Sequence, residues 1–327
     1  MRRWPWMIML LMLLVTLGGC SLFKFSLFPE AGPLKEVTLE GTGKDKVLVL
    51  TLNGVISDQP KQKLLYTRPG MVQELAVRLK KARKDAHIKA LVLKVNSPGG
   101  PVTASDMIYH EISEYKKQSG VKVIVAMMDV AASGGYYLSL PADWIMAQPT
   151  TITGSIGVIF LRPGFSGFME KYGFEMNVNK SGVNKDMGSP FREPTNQDND
   201  IFQELTDQMA ERFHNMVQQH RNPTPRQMEE IKTARVFLGQ QALKLGLVDG
   251  IGYLGDAVAK ARSLTGLDEN AGVVTYRRSK SEEDTLYTLD MSALQGGVST
   301  DLRTLSRLLS IPDAGLYYVW PVAVGNE

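Results

Sequence analysis

The chain has 327 residues, 43% of them hydrophobic and 22% charged, and a formal net charge of +3. That is a globular composition, enough for one large α/β unit or two smaller domains. Arg2 and Arg3 supply two of the positive charges, and no basic patch with interleaved aromatics follows, which excludes nucleic acid as a partner.

The N-terminal element stands apart from the fold. Arg2 and Arg3 precede an apolar run from Trp4 to Gly19, a positive n-region followed by an h-region. Its sixteen residues (19 − 4 + 1) fall short of the roughly 20 that span a bilayer as a helix. The run closes on Leu17-Gly18-Gly19-Cys20, which resembles the lipobox of bacterial lipoprotein precursors, and Cys20 is the chain's one cysteine. The resemblance implies a signal peptide over 1–19, cleavage before Cys20, and lipidation of Cys20. A transmembrane anchor extended through Leu22 and Phe23 is the alternative. Either one predicts a body anchored in a bacterial membrane on its extracytoplasmic side.

Residues 20–45, with Pro29 and Pro33, read as a lipidated cysteine and linker. A strand over Val47 to Ile56 opens the folded part, followed by a helix with apolar positions Met71, Leu75, Val77 and Leu79. Next come a strand over Ile88 to Val95, a helix from about Thr103 to Lys117, and a strand over 122–128. Apolar strands alternating with helices predict an α/β fold with a largely parallel, buried sheet. Short strands are expected over Trp144 to Ala147, Ile156 to Phe160 and Glu175 to Asn179. Helices are expected over 197–220, 224–235, Gly239 to Gly246 and Leu254 to Leu264. From about 270 the pattern weakens; 278–284 is polar, and Gly315 to Trp320 is an apolar end with no obvious partner.

Three stretches have chemical potential. Ala131-Ala132-Ser133-Gly134-Gly135-Tyr136-Tyr137 follows a strand, and a serine on a strand-to-helix turn is lifted out of the sheet among small neighbours. Asn96-Ser97-Pro98-Gly99-Gly100 ends a strand before a helix, which aims backbone N–H groups at one point. Each of the two alone is equally a plain turn. A nucleophilic serine needs a base, and His87, His110, His214 and His220 all lie away from Gly-rich loops. That leaves Lys185, in the loop Ser181 to Pro190, which can act as a base only where burial keeps its amine neutral. Its neighbour Asp186 must then turn elsewhere. No His, Cys or carboxylate cluster has ligand spacing, so neither a metal nor a cofactor is expected.

Taken together, Asn96–Gly100, Ala131–Tyr137, Thr153-Gly-Ser-Ile-Gly157, Lys185-Asp-Met-Gly-Ser-Pro190 and Ala234-Arg-Val-Phe-Leu-Gly239 resemble the signal peptide peptidase A family. The resemblance runs from about Val47 to Val258 and is to the family's short, single-repeat form. It implies a Clp-protease/crotonase fold of ββα repeats, a mostly parallel sheet and a helical C-terminal part, with the peptidase domain at 46–268 and an extension at 269–327. It implies Ser133 as nucleophile, Lys185 as general base, the amides of Gly100 and Gly134 as oxyanion hole, and Ser155 as the residue orienting the lysine. It also implies a homo-oligomer in which serine and lysine of one site come from different copies, and substrates that are small apolar peptides such as cleaved signal peptides. Met127, Met128 and Val130 are expected near a specificity pocket, although core packing accounts for them equally well. Two other readings stay open on the same fold: an acyl-CoA enzyme using the glycine amides, and a non-catalytic membrane scaffold.

Overall fold

Strand runs without polar alternation must be buried on both faces, and here they form the middle of the main sheet. The computed structural model describes residues 33–63, 66–278, 285–286 and 315–321; the leader, Cys20 and residues 279–284 lie outside these. In chain order, β1 (Lys35–Glu40) and β2 (Lys46–Asn53) precede a short hairpin of β3 (Lys61–Lys63) and β4 (Tyr66–Arg68). Helix α1 (Met71–Ala82) leads to β5 (Ile88–Ser97), β6 (Gly99–Pro101), α2 (Val102–Ser119) and β7 (Lys122–Ala132). There follow α3 (Gly134–Tyr137), β8 (Trp144–Ala147), β9 (Ile152–Gly154), β10 (Ile159–Leu161) and α4 (Ser166–Tyr172). Next are α5 (Asn196–Arg221), α6 (Pro225–Ile231), β11 (Val236–Leu238) and α7 (Gly239–Lys244). Last come β12 (Gly250–Ile251), α8 (Leu254–Thr265), β13 (Gly272–Arg277) and β14 (Gly315–Val319).

The main sheet runs β1-β13-β2-β5-β7-β8-β12, with β9 alongside the end of β7 and β11 against β9. From β13 to β12 neighbouring strands are parallel, while β1 and β11 pair antiparallel at the margins. Leu48, Leu50, Leu91, Leu93, Val95, Val123 and Val125 face one core, shared with Leu75 of α1, Ile108 of α2 and Phe213 of α5. Val47, Val49, Ala90, Val92, Ile124 and Ala126 face the other, closed by Leu254, Ala257, Val258 and Ala261 of α8. Parallel strands covered on both faces account for the mixed α/β architecture expected from the alternating pattern.

Four stretches differ from that expectation. Residues 35–40, expected in the linker, form β1, and 272–277, where the pattern weakens, form β13 between β1 and β2. All six residues of β13 are buried, but Thr275 and Arg277 interrupt its apolar signature. The Thr275 hydroxyl is satisfied by donating to the Val49 carbonyl at 2.8 Å. The strand expected over Glu175 to Asn179 is absent, and α4 forms just before it with no buried residue. Met176 and Val178 are both more than half exposed, and β-propensity makes no strand without a neighbour to pair with. Finally, the apolar end at 315–320 does have a partner: β14 is the middle strand of a separate antiparallel sheet, β10-β14-β6.

Leu93, fully buried at the centre of β5, is the position from which the sheet is most easily tested. Leu93→Ala should lower unfolding free energy by about 2–5 kcal/mol in a urea titration. Val77→Ala on the exposed side of α1 should stay within about 0.5 kcal/mol of wild type.

Candidate active site

The reactive turn begins with an irregularity in the sheet. Val95 pairs with Met127 and Ser97 with Ala131, so β7 takes four steps where β5 takes two. The extra residues are held by side chains: Asn96 Oδ1 accepts from the Val130 N–H at 3.1 Å, and Thr151 Oγ1 donates to the Met128 carbonyl at 2.6 Å. Bulges of this kind bend a strand and re-aim the residues at its end. Past the bulge, Ala131 and Ala132 pair with Thr153 and Gly154 of β9, and the chain turns at Ser133 into α3.

Ser133 adopts φ 53° and ψ −115°, a region costly by about 1–3 kcal/mol for a residue with a side chain. Backbone bonds hold it there. Its N–H donates to Gly154 O at 2.8 Å, and its carbonyl accepts from the N–H groups of Tyr136 and Tyr137, both at 2.9 Å. The side chain is 1% exposed, and its hydroxyl has no hydrogen-bond partner among the described residues. Buried hydroxyls almost always find partners, so strain and an orphaned oxygen on one residue single Ser133 out as the candidate reactive group.

Glycines crowd around that turn because no other residue fits. Gly99 has φ +104°, and a Cβ there would lie 2.8 Å from the Gly134 nitrogen and collide with the Tyr318 carbonyl. A Cβ on Gly134 would collide with Ser105 Oγ, one on Gly135 would sit 2.6 Å from Ser97 O, and one on Gly100 would strike Ile56 O. Ser97 Oγ accepts from the Gly99 N–H at 3.1 Å, and Gly99 O accepts from Ile56 N at 2.9 Å, fixing the turn. Ser155 directly follows the Gly154 that binds Ser133, also at positive φ (52°), with its N–H on Arg235 O at 2.9 Å. The structure therefore gathers Gly99, Gly100, Ser133, Gly134 and Ser155 at the carboxyl ends of β5, β7 and β9.

Lys185 stays outside this group. It lies exposed in a turn between α4 and α5, with its N–H on Gly182 O at 3.1 Å, and the orphaned Ser133 hydroxyl receives nothing from it within the chain. Asp186 turns to Lys180 at 2.8 Å and Arg192 at 3.1 Å, and these hydrogen bonds hold its carboxyl below the usual range. Nor does a histidine reach Ser133. His87 pairs with Asp45, His214 meets the Ile156 carbonyl, and His220 meets the Tyr109 hydroxyl; burial lowers the affinity of the last two for a proton.

The stretch carrying Lys185 is unusually apolar for a surface. Phe168, Tyr172, Phe174, Met176, Val178 and Val183 are each more than half exposed, at 52–71%. Met127, expected near a specificity pocket, is instead packed in the core at 1% exposure. Reading the sequence missed two contributors to the site, Ser105 and Tyr318. The aromatic pair Tyr317-Tyr318 in an otherwise weak tail was the available signal for the last.

Residues 115–268 match the sequence pattern of Peptidase family S49. Over 255 residues the chain is 37% identical to "Putative signal peptide peptidase SppA" of Enterococcus faecium, covering 77% of this chain and 73% of that protein. It is 37% identical over 204 residues to "Protease 4" of Haemophilus influenzae, covering 61% of this chain and 32% of the relative. With "Serine protease SPPA, chloroplastic" of Arabidopsis thaliana it shares 30% identity over 288 residues, 86% of this chain and 42% of the relative. The chain thus spans about a third to less than half the length of these two longer proteins.

Because the Ser133 hydroxyl is buried without a partner among the described residues, removing it should not destabilise the fold. Ser133→Ala should unfold at an unchanged or higher urea midpoint, a gain of up to about 1–2 kcal/mol. A loss larger than about 1 kcal/mol would show that the hydroxyl contributes a native hydrogen bond.

Proposed function

The chain belongs to the signal peptide peptidase A family, peptidase family S49, and within it we propose an endopeptidase that attacks through Ser133. Serine peptidase activity and the Clp-protease/crotonase-like fold come with that membership. The observation that carries the assignment is the orphaned, buried hydroxyl of Ser133 on a strained turn beside Gly99 and Gly134.

In this reading the Ser133 oxygen attacks the carbonyl carbon of a peptide bond while its proton passes to the neutral amine of Lys185. The carbonyl oxygen becomes an anion opposite the amides of Gly100 and Gly134. Collapse breaks the C–N bond, and the proton held by the lysine moves to the departing amine. Water, deprotonated by the same lysine, then hydrolyses the seryl ester and returns the proton to Ser133. Ser155 orients the lysine.

The lysine comes from a second copy of the chain. Two observations support this: Lys185 does not meet Ser133 within its own chain, and it rides on an apolar stretch too large to be left in water. A head-to-tail contact that places one copy's 165–191 segment over the next copy's Ser133 repeats around a ring. Substrates are small apolar peptides, remnant signal peptides among them, cut by an enzyme held at the outer side of a bacterial membrane through Cys20 or an N-terminal anchor. Among the described residues no helix is long and apolar enough to cross a membrane.

Full-length protein in detergent, offered an apolar peptide ester, should lose at least about 10³-fold in kcat with either Ser133→Ala or Lys185→Ala. Co-assembling the two inactive variants should restore about a quarter of wild-type activity, since half the serines meet half the lysines across head-to-tail contacts. Mixtures as dead as their components would place both residues in one chain, or remove Lys185 from the chemistry.

A further inference from the structure

Nothing in the turn that carries Lys185 is buried. From 181 to 189 every residue is exposed or half-buried. The backbone bonds within it are local: Lys185 N–H to Gly182 O, Met187 N–H to Asn184 O and Ser189 N–H to Asp186 O, each at 3.1 Å. Few buried contacts and short-range bonds leave a turn free to open locally. A base, however, must arrive within hydrogen-bond reach of the proton it takes. Side chains supply what the backbone lacks.

The attachment is made by the residue next to the lysine. Asp186 Oδ1 accepts from Lys180 Nζ at 2.8 Å and from Arg192 Nη2 at 3.1 Å. The second arm of the same guanidinium, Nη1, donates to Asp198 Oδ2 at 2.5 Å and to the Glu193 carbonyl at 3.0 Å. Asp198 is 2% exposed and is locked into the capping box of α5, accepting from Thr195 N–H at 3.0 Å and donating its own N–H to Thr195 Oγ1 at 3.1 Å. Helix α5 in turn buries Phe213 and Val217 in the core. A chain of charge-assisted bonds therefore runs from a core helix to the neighbour of Lys185, and only a planar guanidinium spans two carboxylates in this way. Arg162 and Glu193 line the same cavity under Gly188 and Ser189, but Arg162 is engaged by Asn199 at 2.7 Å and Glu193 by Ser166 at 2.5 Å.

The same bonds have an electrostatic effect. Lys180 first, and then Arg192, hold the Asp186 carboxyl below its usual range. A carboxylate released from them would lie beside the lysine in sequence, where negative charge favours a protonated amine. We infer that Arg192 is a positioning residue for the reaction: it pins Asp186 to the capped end of α5, which sets where Lys185 is presented and keeps that carboxylate away from the lysine amine. The inference rests on Lys185 as the base that one copy offers to the Ser133 of another.

Hydrogen exchange on the full-length chain tests the clamp without any activity. With Arg192→Ala the amides of 183–189 should exchange at least about tenfold faster, the worth of one charged hydrogen bond, while those of 205–217 in α5 keep their wild-type rates. Arg192→Lys should fall between, since an ammonium grips one carboxylate at a time. Unchanged exchange over 183–189 would overturn the inference. So would exchange that rises equally along α5, because the arginine would then hold the fold and not the turn. Activity gives the direction. When Ser133→Ala and Lys185→Ala chains are co-assembled, Arg192→Ala should cost at least about tenfold more on the chain that supplies the lysine than on the chain that supplies the serine. Equal losses would count against the inference. In Arg192→Ala alone, the rise of kcat/KM with pH should move up by about one unit, and adding Asp186→Asn should move it back without restoring kcat. A purely structural defect would lower the rate at every pH and leave the profile in place. Loosened exchange together with dead mixtures of the two inactive chains would keep the clamp and remove the two-copy reading of Lys185.

Discussion

Three backbone turns meet at the carboxyl ends of β5, β7 and β9, and they can do so only without side chains between them. Gly99 packs against the Gly134 nitrogen, Gly135 against the Ser97 carbonyl, and Gly154 lends its carbonyl to Ser133. Those close approaches fix Ser133 in a conformation it would not choose, with a hydroxyl that bonds to nothing among the described residues. A parallel sheet suits this purpose because its strand ends converge on one side, and crossover helices begin there. The double-length bulge in β7 supplies the extra reach that lifts the serine clear.

Much of the framework was readable in the chain because burial on both faces leaves a strong mark. The runs at 47–52, 88–95 and 122–127 are apolar at nearly every position, and each became a central strand. The reactive turn was also readable, since Ser133-Gly134-Gly135 and Gly99-Gly100 are sequences that a crowded backbone requires. The elements that escaped are those whose identity depends on a remote partner. β13 holds a threonine that makes sense only once Val49 is known to lie alongside, and β1 looks like linker until β13 exists to receive it. The strand expected at 175–179 had the composition of a strand and no edge to join. Tyr318 was visible only as an aromatic in a weak tail, because its role is set by pairing across more than two hundred residues.

Helix α5 ties the remote parts of the site together. Its amino end is closed by a capping box between Thr195 and Asp198, and Asp198 also binds Arg192, which reaches back to Asp186 beside Lys185. Further along, the Met209 carbonyl accepts from the Tyr318 hydroxyl and Phe213 packs against its ring. One helix thus links the exposed segment that carries Lys185 to the aromatic cluster around Tyr318.

The place of β13 has a consequence for how the polypeptide matures. β2 emerges early from the ribosome, yet the strand that covers its outer edge is made more than two hundred residues later, as the Thr275-to-Val49 bond records. Until then β2 offers an open row of amides and carbonyls to any passing strand. Such long-range closure is slow, because the entropy of closing so long a loop comes before any contact rewards it. Truncation anywhere ahead of residue 277 would therefore leave the early half without its seam, however intact the reactive turn might be.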